Sequence, residues 1–446
     1  MSDIYLYIDG FPVLASKDWV NHYAMLLFTE TDKKIFERKL KDRPYFVSWY
    51  PGEKKDYAED SEKIYHYHTT VKIALERLDI LGFTLTKVKS SLEEKIKERC
   101  HFLEKSLKDI TVPNGDYFIK KELEAIQKSG FESFKGAFQE IKENRFTINN
   151  LESKQLSNLA KYLLRRSHYD WQYYYPDQHP LNYLRFILEC CKSSADVTLD
   201  FTDLVRSGWV KADIEIRDIS IKNTSRDHEI FSKILVITEG STDAEILSKA
   251  IKLRHPHLSD YYLFMPYNLE EGGVPAINGC ASLTVQRIEA FAKCEINNRI
   301  IGLLDNDKAS VDAKNCIKIT LPPNIKLINY PDIDLAKTYP CVQPDRTEQP
   351  DGTEQPDRTE NVNGRAAAIE MYCGRDVLTS NTTNKLYPIQ WTKKPDQGNF
   401  GGAKKEIQRK IREKLNACEE DRSKINNYDW SGIDAIFEAL FRCFQE

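Results

Sequence analysis

Hydrophobic and polar positions follow three different rhythms along this chain. At the start, IYLYIDGFPVL places two short apolar runs on either side of Asp9-Gly10, a pair suited to a tight turn, and predicts two strands. From Thr69 to Asp109 the rhythm becomes helical. HTTVKIALERLDILG opens behind Thr69/Thr70, which can cap a helix, and stops at Gly82. LTKVKSSLEEKIKERCHFLEKSL then repeats apolar residues at spacings of three and four, the mark of a long amphipathic helix. FIKKELEAIQKSGFESFKGAFQEIKE, LESKQLSNLAKYLLRRS and PLNYLRFILECC continue in the same way, so residues 1–228 are expected to be mostly helical.

The third rhythm begins near residue 229. KILVITEG, YYLFMPY, RIIGLLDND and IKLINYP are short apolar runs. Between them lie the helical patterns STDAEILSKAIKL, LTVQRIEAFAKC and SVDAKNCIKI. Strand and helix alternating at this spacing predict a parallel sheet built from βαβ units over residues 229–340. Residues 343–360 read QPDRTE-QPDGTE-QPDRTE, with proline as the only apolar residue. Such a repeat cannot bury a core, so residues 341–362 are expected to form an extended, solvated insertion. NGRAAAIEMYCGRDVL, GGAKKEIQRKIREKL and WSGIDAIFEALFRCF predict helices in a final part, residues 363–446. The expected fold class is therefore α+β and multidomain: an α-rich N-terminal domain, then an α/β domain with a helical C-terminal extension.

Composition narrows the function classes. Of 446 residues, 41% are hydrophobic and 30% charged, an ordinary globular balance. No apolar run approaches the ~20 residues of a membrane helix. The start lacks the basic and apolar regions of a signal peptide, so a cytoplasmic protein without a membrane partner is expected. Sixty-four Lys and Arg oppose 68 Asp and Glu, so any polyanion site must be a local patch. None of the ten cysteines forms a C-x-x-C pair, which removes the usual zinc spacings and leaves reduced thiols. No G-x-x-x-x-G-K-[ST] occurs, so an ATPase activity would have to come from a partner protein.

The informative chemistry sits at two strand ends. In ILVITEGSTDAEIL, Glu239 stands where the strand stops and Gly240 permits a tight turn. Ser241/Thr242 can cap the following helix, and Asp243 falls in its first turn. In RIIGLLDNDKAS, Asp305 and Asp307 close an apolar strand one residue apart, which in extended chain points both carboxylates to one side. Open α/β sheets bind ligands at the carboxyl ends of their strands. Four carboxylates gathered there repel one another unless a cation neutralises them. Oxygen-only ligands suit one or two Mg²⁺ or Mn²⁺ ions, the apparatus of phosphodiester chemistry.

These residues resemble a Toprim domain, the topoisomerase–primase fold. That family carries a Glu after its first strand and a D-x-D after its third, and the likeness covers about residues 230–335. It implies a Mg²⁺-dependent nucleotidyl-transfer or nuclease centre at Glu239, Asp305 and Asp307. The E-x-x-x-D form of Glu239/Asp243 is similar to nucleases of the overcoming-lysogenization-defect family. Those add a later carboxylate, often with Ser two residues before it, and then a Lys. Here RAAAIEMY offers Glu370, with Ala368 where that Ser would stand, and GGAKKEI offers Lys404 or Lys405. The resemblance thus implies Glu239, Asp243, Asp305, Asp307 and Glu370 as metal ligands, and Lys404 or Lys405 as the group that stabilises transition-state charge.

MSDIYLYIDGFPVLASK, LLFTETDKK and TTVKIALERLDILGFTL resemble the HEPN/Toprim N-terminal domain found ahead of bacterial Toprim domains. GGVPAINGCASL, DIDLAKTYP and NGRAAAIEMYCGRDVL are similar to the same fusion proteins. That resemblance implies a role in defence against phage. Active HEPN ribonucleases carry R-x(4–6)-H, and none of the nine histidines here follows an Arg at that distance. The helical half is therefore expected to dimerise or to present substrate. Two basic stretches are candidate nucleic-acid contacts. Arg165 and Arg166 precede Trp171 and Tyr173–Tyr175, and the Lys404–Lys414 helix contains Lys404, Lys405, Arg409 and Arg412. The expected activity is metal-dependent cleavage of DNA or RNA. A narrow RNA- or tRNA-specific cleaving enzyme and a non-catalytic nucleotide or nucleic-acid binder are the alternatives.

Overall fold

The structure is a computed structural model that describes residues 3–17, 19–39, 61–109, 116–143, 156–164, 175–224, 232–266, 281–342, 358–392 and 396–445. The chain divides into two compact units, residues 1–231 and residues 232–444.

The first unit combines helices with a five-stranded antiparallel sheet. Its strands are β1 (Asp3–Ile8), β2 (Phe11–Lys17), β3 (Lys33–Lys39), β4 (Ser61–Thr70) and β5 (Asp196–Asp200), in the order β2-β1-β5-β4-β3. The β1–β2 hairpin turns on Asp9 and Gly10, both at positive φ, as a two-residue hairpin loop requires. β5 enters the sheet between β1 and β4 after a long helical excursion. The helix Val71–Ile80 starts on Thr70, whose hydroxyl accepts from the Ile73 N–H. The helical stretch from Phe118 to Glu143 forms two helices, Tyr117–Ile126 and Phe131–Glu143, because the chain turns at Ser129-Gly130. Phe134, Phe138, Leu184 and Phe186 are among the buried side chains. Arg77 is also fully buried, donating to the Leu27 carbonyl and to Asp32 Oδ2. The sheet beyond the first hairpin departs from a mostly helical expectation. KKIFERK and SEKIYHYHTT pair as β3 and β4 although their charged residues hide the alternation.

The second unit is built on a four-stranded parallel sheet. β6 (Ile234–Thr238), β7 (Tyr262–Pro266), β8 (Ile300–Leu304) and β10 (Ile325–Asn329) lie in the order β10-β8-β6-β7. The chain leaves β6 outward to β7, then crosses to β8 on the other side of β6. This reversal makes a topological switch point, where the carboxyl ends of β6 and β8 stand side by side. Ile237, Ile288, Ile300, Leu304 and Ile325 form the core under it. Gly302 lets the helix Ala281–Lys293 seat directly on β8, because a Cβ there would lie 2.7 Å from both Ile288 Cγ1 and Leu327 Cδ1.

A short β9 (Asn306–Asp307) pairs with β13 (Ala366–Ala367). A second sheet joins β11 (Tyr339–Val342), β12 (Arg358–Glu360), β14 (Ile389–Trp391) and β15 (Gly398–Asn399) in the order β12-β11-β14-β15. The end of the hexapeptide repeat is thus not loop: Arg358–Glu360 is a strand paired with β11. The repeat before it lies outside the described residues. The segment NGRAAAIEMYCGRDVL is not one helix either. It runs through β13 and two four-residue helices, Ile369–Tyr372 and Arg375–Leu378, separated by Gly374 at φ +102°. The helices Lys404–Glu420 and Ser431–Arg442 close the unit, with Ile407, Ile411 and Leu415 on one buried face.

Candidate functional site

Both acidic motifs emerge at the switch point. Glu239 follows β6 and Asp305 follows β8, and the two strands are paired in register, Thr238 opposite Leu303. The Asp305 N–H donates to Glu239 Oε1 at 2.9 Å, so backbone and carboxylate tie the two motifs together. Gly240, not Ser241 or Thr242, occupies the N-cap of the helix Ser241–Arg254. Asp243 sits buried in the first turn of that helix. Tyr330, just after β10, donates its hydroxyl to Asp243 Oδ2 at 3.3 Å. Its backbone N–H is fixed on the Leu304 carbonyl, and Asn329 donates to the Asp305 carbonyl.

Asp307 caps the helix Lys308–Asn315 by accepting from the Ser310 N–H at 2.8 Å. The middle residue of D-N-D has its own task. Asn306 accepts from the Gly364 N–H at 2.9 Å and donates to Asp332 at 2.9 Å. Together with the β9–β13 pairing, this fastens the segment that leads to Glu370 beside the D-N-D turn. Glu370 is 1% exposed. Its Oε1 accepts from Gln408 Nε2 at 2.9 Å and lies 3.3 Å from Lys404 Nζ. Two buried carboxylate oxygens, Asp305 Oδ1 and Glu370 Oε2, have no hydrogen-bond partner.

The electrostatics follow from this crowding. Burial, reinforced by Asp243, Glu239, Asp307 and Glu370, holds the Asp305 carboxyl well above the usual carboxylate range. Burial, with Glu370 and Glu239 nearby, pushes Asp243 up to about 7. Burial also raises Glu239, against the opposing hydrogen bonds from Ser310 and Asp305. Partial burial works against the charge of Lys404, but Glu370, Asp305 and Asp243 outweigh it and hold the ammonium above its ordinary range. These residues feel one another as a single acidic group with one basic neighbour.

The donor chemistry fits a hard divalent cation: every donor is an oxygen, and two are buried without a partner. A ready-made cage is not assembled. Among the described residues no three His, Cys, Asp or Glu side chains converge as a metal ion would need.

Other candidates fall elsewhere. Lys405 is exposed, and it is Lys404 that approaches Glu370. Arg409 is held by Glu406 and Glu413, and Arg412 lies 3.8 Å from Glu245. Lys410 and Lys414, counted in the basic helix, are buried instead. Lys410 donates to Asn381 and the Thr379 carbonyl, Lys414 to the carbonyls of Cys373 and Asp429. Arg165 and Arg166 lie outside the described residues. Sequence reasoning missed Asn306, Ser310, Tyr330 and Gln408. Ser310 had one readable signal, its place three residues after Asp307, the spacing of a helix cap.

A family model described as HEPN/Toprim N-terminal domain 1 matches residues 1–227. The chain belongs to this family. The match covers the whole first unit up to its last few residues. No curated protein and no solved structure matches the chain. No helix among the described residues is long and apolar enough to cross a membrane.

Proposed function

We propose that this HEPN/Toprim N-terminal domain protein is a Mg²⁺- or Mn²⁺-dependent nuclease whose centre lies at the β6–β8 switch point of a Toprim-like second unit. The observation that carries the reading is Asp305. It is half-buried with one buried, unpartnered oxygen, and burial followed by Asp243, Glu239, Asp307 and Glu370 raises its pKa. Neighbouring carboxylates withdrawn from water repel one another, and among the described residues only Glu370 has a lysine beside it, so a cation is the natural complement.

Glu239, Asp243, Asp305 and Asp307 would hold one ion, and Glu370 would complete a site for a second. A bound divalent cation lowers the pKa of water toward neutrality and neutralises phosphate charge. The chain's own residues do the rest. Glu239 and Asp307 are held in place by Ser310, and Glu370 by Gln408. Lys404 keeps its charge and is half exposed, so its ammonium can meet a phosphate beside Glu370 and stabilise charge developing there. The substrate is DNA or RNA. The sequence resemblance to phage-defence fusion proteins is what suggests a role as a defence effector, and the helical first unit is the proposed dimerisation module.

The test is incubation of the protein with plasmid, single-stranded DNA and total tRNA, with Mg²⁺ or Mn²⁺. An Asp305→Asn/Asp307→Asn double variant runs beside it. Metal-dependent cleavage by the wild type alone supports the reading and identifies the substrate class. The Lys404–Glu370 pair, which already neutralises one carboxylate, favours a second reading: a binding module without chemistry. Nucleic-acid binding with no cleavage of any substrate would select it.

A further inference from the structure

Ser310 is fully buried and stands where the two acidic motifs meet. Its hydroxyl donates to Glu239 Oε1 at 2.7 Å, and its backbone N–H donates to Asp307 Oδ1 at 2.8 Å. Glu239 belongs to the end of β6, and Asp307 to the turn after β8. One residue therefore links carboxylates from two strands. The same Glu239 oxygen also takes the Asp305 N–H, so Oε1 is saturated by protein donors and Oε2 is the oxygen left for a ligand.

The pattern extends around the site. Each engaged carboxylate gives one oxygen to a donor of this chain. Asp243 gives Oδ2 to Tyr330, and Glu370 gives Oε1 to Gln408. Donors behind metal-binding carboxylates fix which lone pair faces the ion, and losing one typically weakens binding 10–100-fold. Tyr330 and Gln408 each hold a single carboxylate. Among the described residues, Ser310 alone holds two, from both acidic motifs.

We propose that Ser310 is a positioning residue of the centre, coupling Glu239 to Asp307 so that both present their free oxygens to one cation. The inference rests on the metal-centre reading above. Ser310 does not contact substrate and takes no part in bond breaking.

The experiment is a Mn²⁺ titration of the full chain followed by electron paramagnetic resonance, in which bound ion leaves the free-ion signal. Wild type, Ser310→Ala, Ser310→Cys and Ser310→Thr are compared, and the metal-free melting temperature of each is recorded. Ser310→Ala should weaken Mn²⁺ binding by about 10–100-fold. Ser310→Cys, nearly the same size but a poor donor, should follow it. Ser310→Thr, which keeps the hydroxyl, should restore most of the affinity. The metal-free melting temperatures of Ser310→Cys and wild type should agree, which separates lost positioning from lost folding. Mn²⁺ affinity in Ser310→Ala and Ser310→Cys equal to wild type would overturn the positioning role and leave the metal centre standing. A wild type that binds no Mn²⁺ would overturn both.

Discussion

Asp243 shows what the site requires of a single residue. It is a buried acid in the first turn of a helix, raised to about 7 by burial and by two neighbouring carboxylates. A carboxyl raised in the folded state binds its proton more tightly there than in the unfolded chain. Its contribution to stability is therefore present at low pH and is lost as pH rises through about 7. Metal-free protein should melt lower at pH 8 than at pH 6, by roughly 2–4 °C for each kcal/mol lost. Asp243→Asn should reduce that dependence, leaving the share of Asp305 and Glu239, and saturating Mg²⁺ should suppress it. Equal melting temperatures across this range in the metal-free wild type would contradict the account. Lys404 allows a second test at this scale. Lys404→Ala should lower the cleavage rate about 100-fold, the loss typical of one charge-stabilising donor, and Lys405→Ala should change it less than threefold. Equal losses in both variants, read from initial rates, would remove the distinction drawn from the Lys404–Glu370 pair.

At the scale of elements, two lysines of one helix serve as internal struts. Lys414 is 3% exposed, donates to two backbone carbonyls, pairs with Asp376 and lies 4.3 Å from the Trp430 ring centroid. Its removal takes the side-chain donor from the buried Cys373 carbonyl and the half-buried Asp429 carbonyl, so Lys414→Ala should destabilise the protein by about 1–3 kcal/mol in urea unfolding. Lys405→Ala, on the exposed side, should stay within about 0.5 kcal/mol. The sequence pattern could not separate these lysines, because charge at helical spacing looks alike on a wet face and in a buried polar joint. Other elements were easier to read. β6, β8 and β10 are apolar runs cut off by turn residues, and both acidic motifs sit at their ends as the pattern implies. The chain around Glu370 is helical only in two short pieces, Ile369–Tyr372 and Arg375–Leu378, and starts as a strand. Its Ala-rich start favours helix locally, but pairing with β9 and the left-handed Gly374 override that propensity. The supporting donors were hidden for a different reason. Ser310, Tyr330 and Gln408 reach the site through tertiary packing and form no pattern in a linear reading.

At the scale of the whole molecule, charge decides how nucleic acid can be held. The chain is near neutral, and two of its candidate arginines, Arg409 and Arg412, already face carboxylates. Those two are then poor phosphate contacts. The logarithm of affinity should fall with the logarithm of salt at a slope shallower than about −3, as three or fewer phosphate contacts would give. A slope near −6 would point to a basic surface beyond these residues. The proposed activity depends on one property of the second unit, that its carboxylates hold a divalent cation. Calorimetric titration of Mn²⁺ into wild type and Asp305→Asn at neutral pH tests this most directly. The account predicts one or two ions bound by the wild type and at least about 100-fold weaker binding by the variant, as expected on losing a ligand. No binding by the wild type, or equal binding by both, would contradict it.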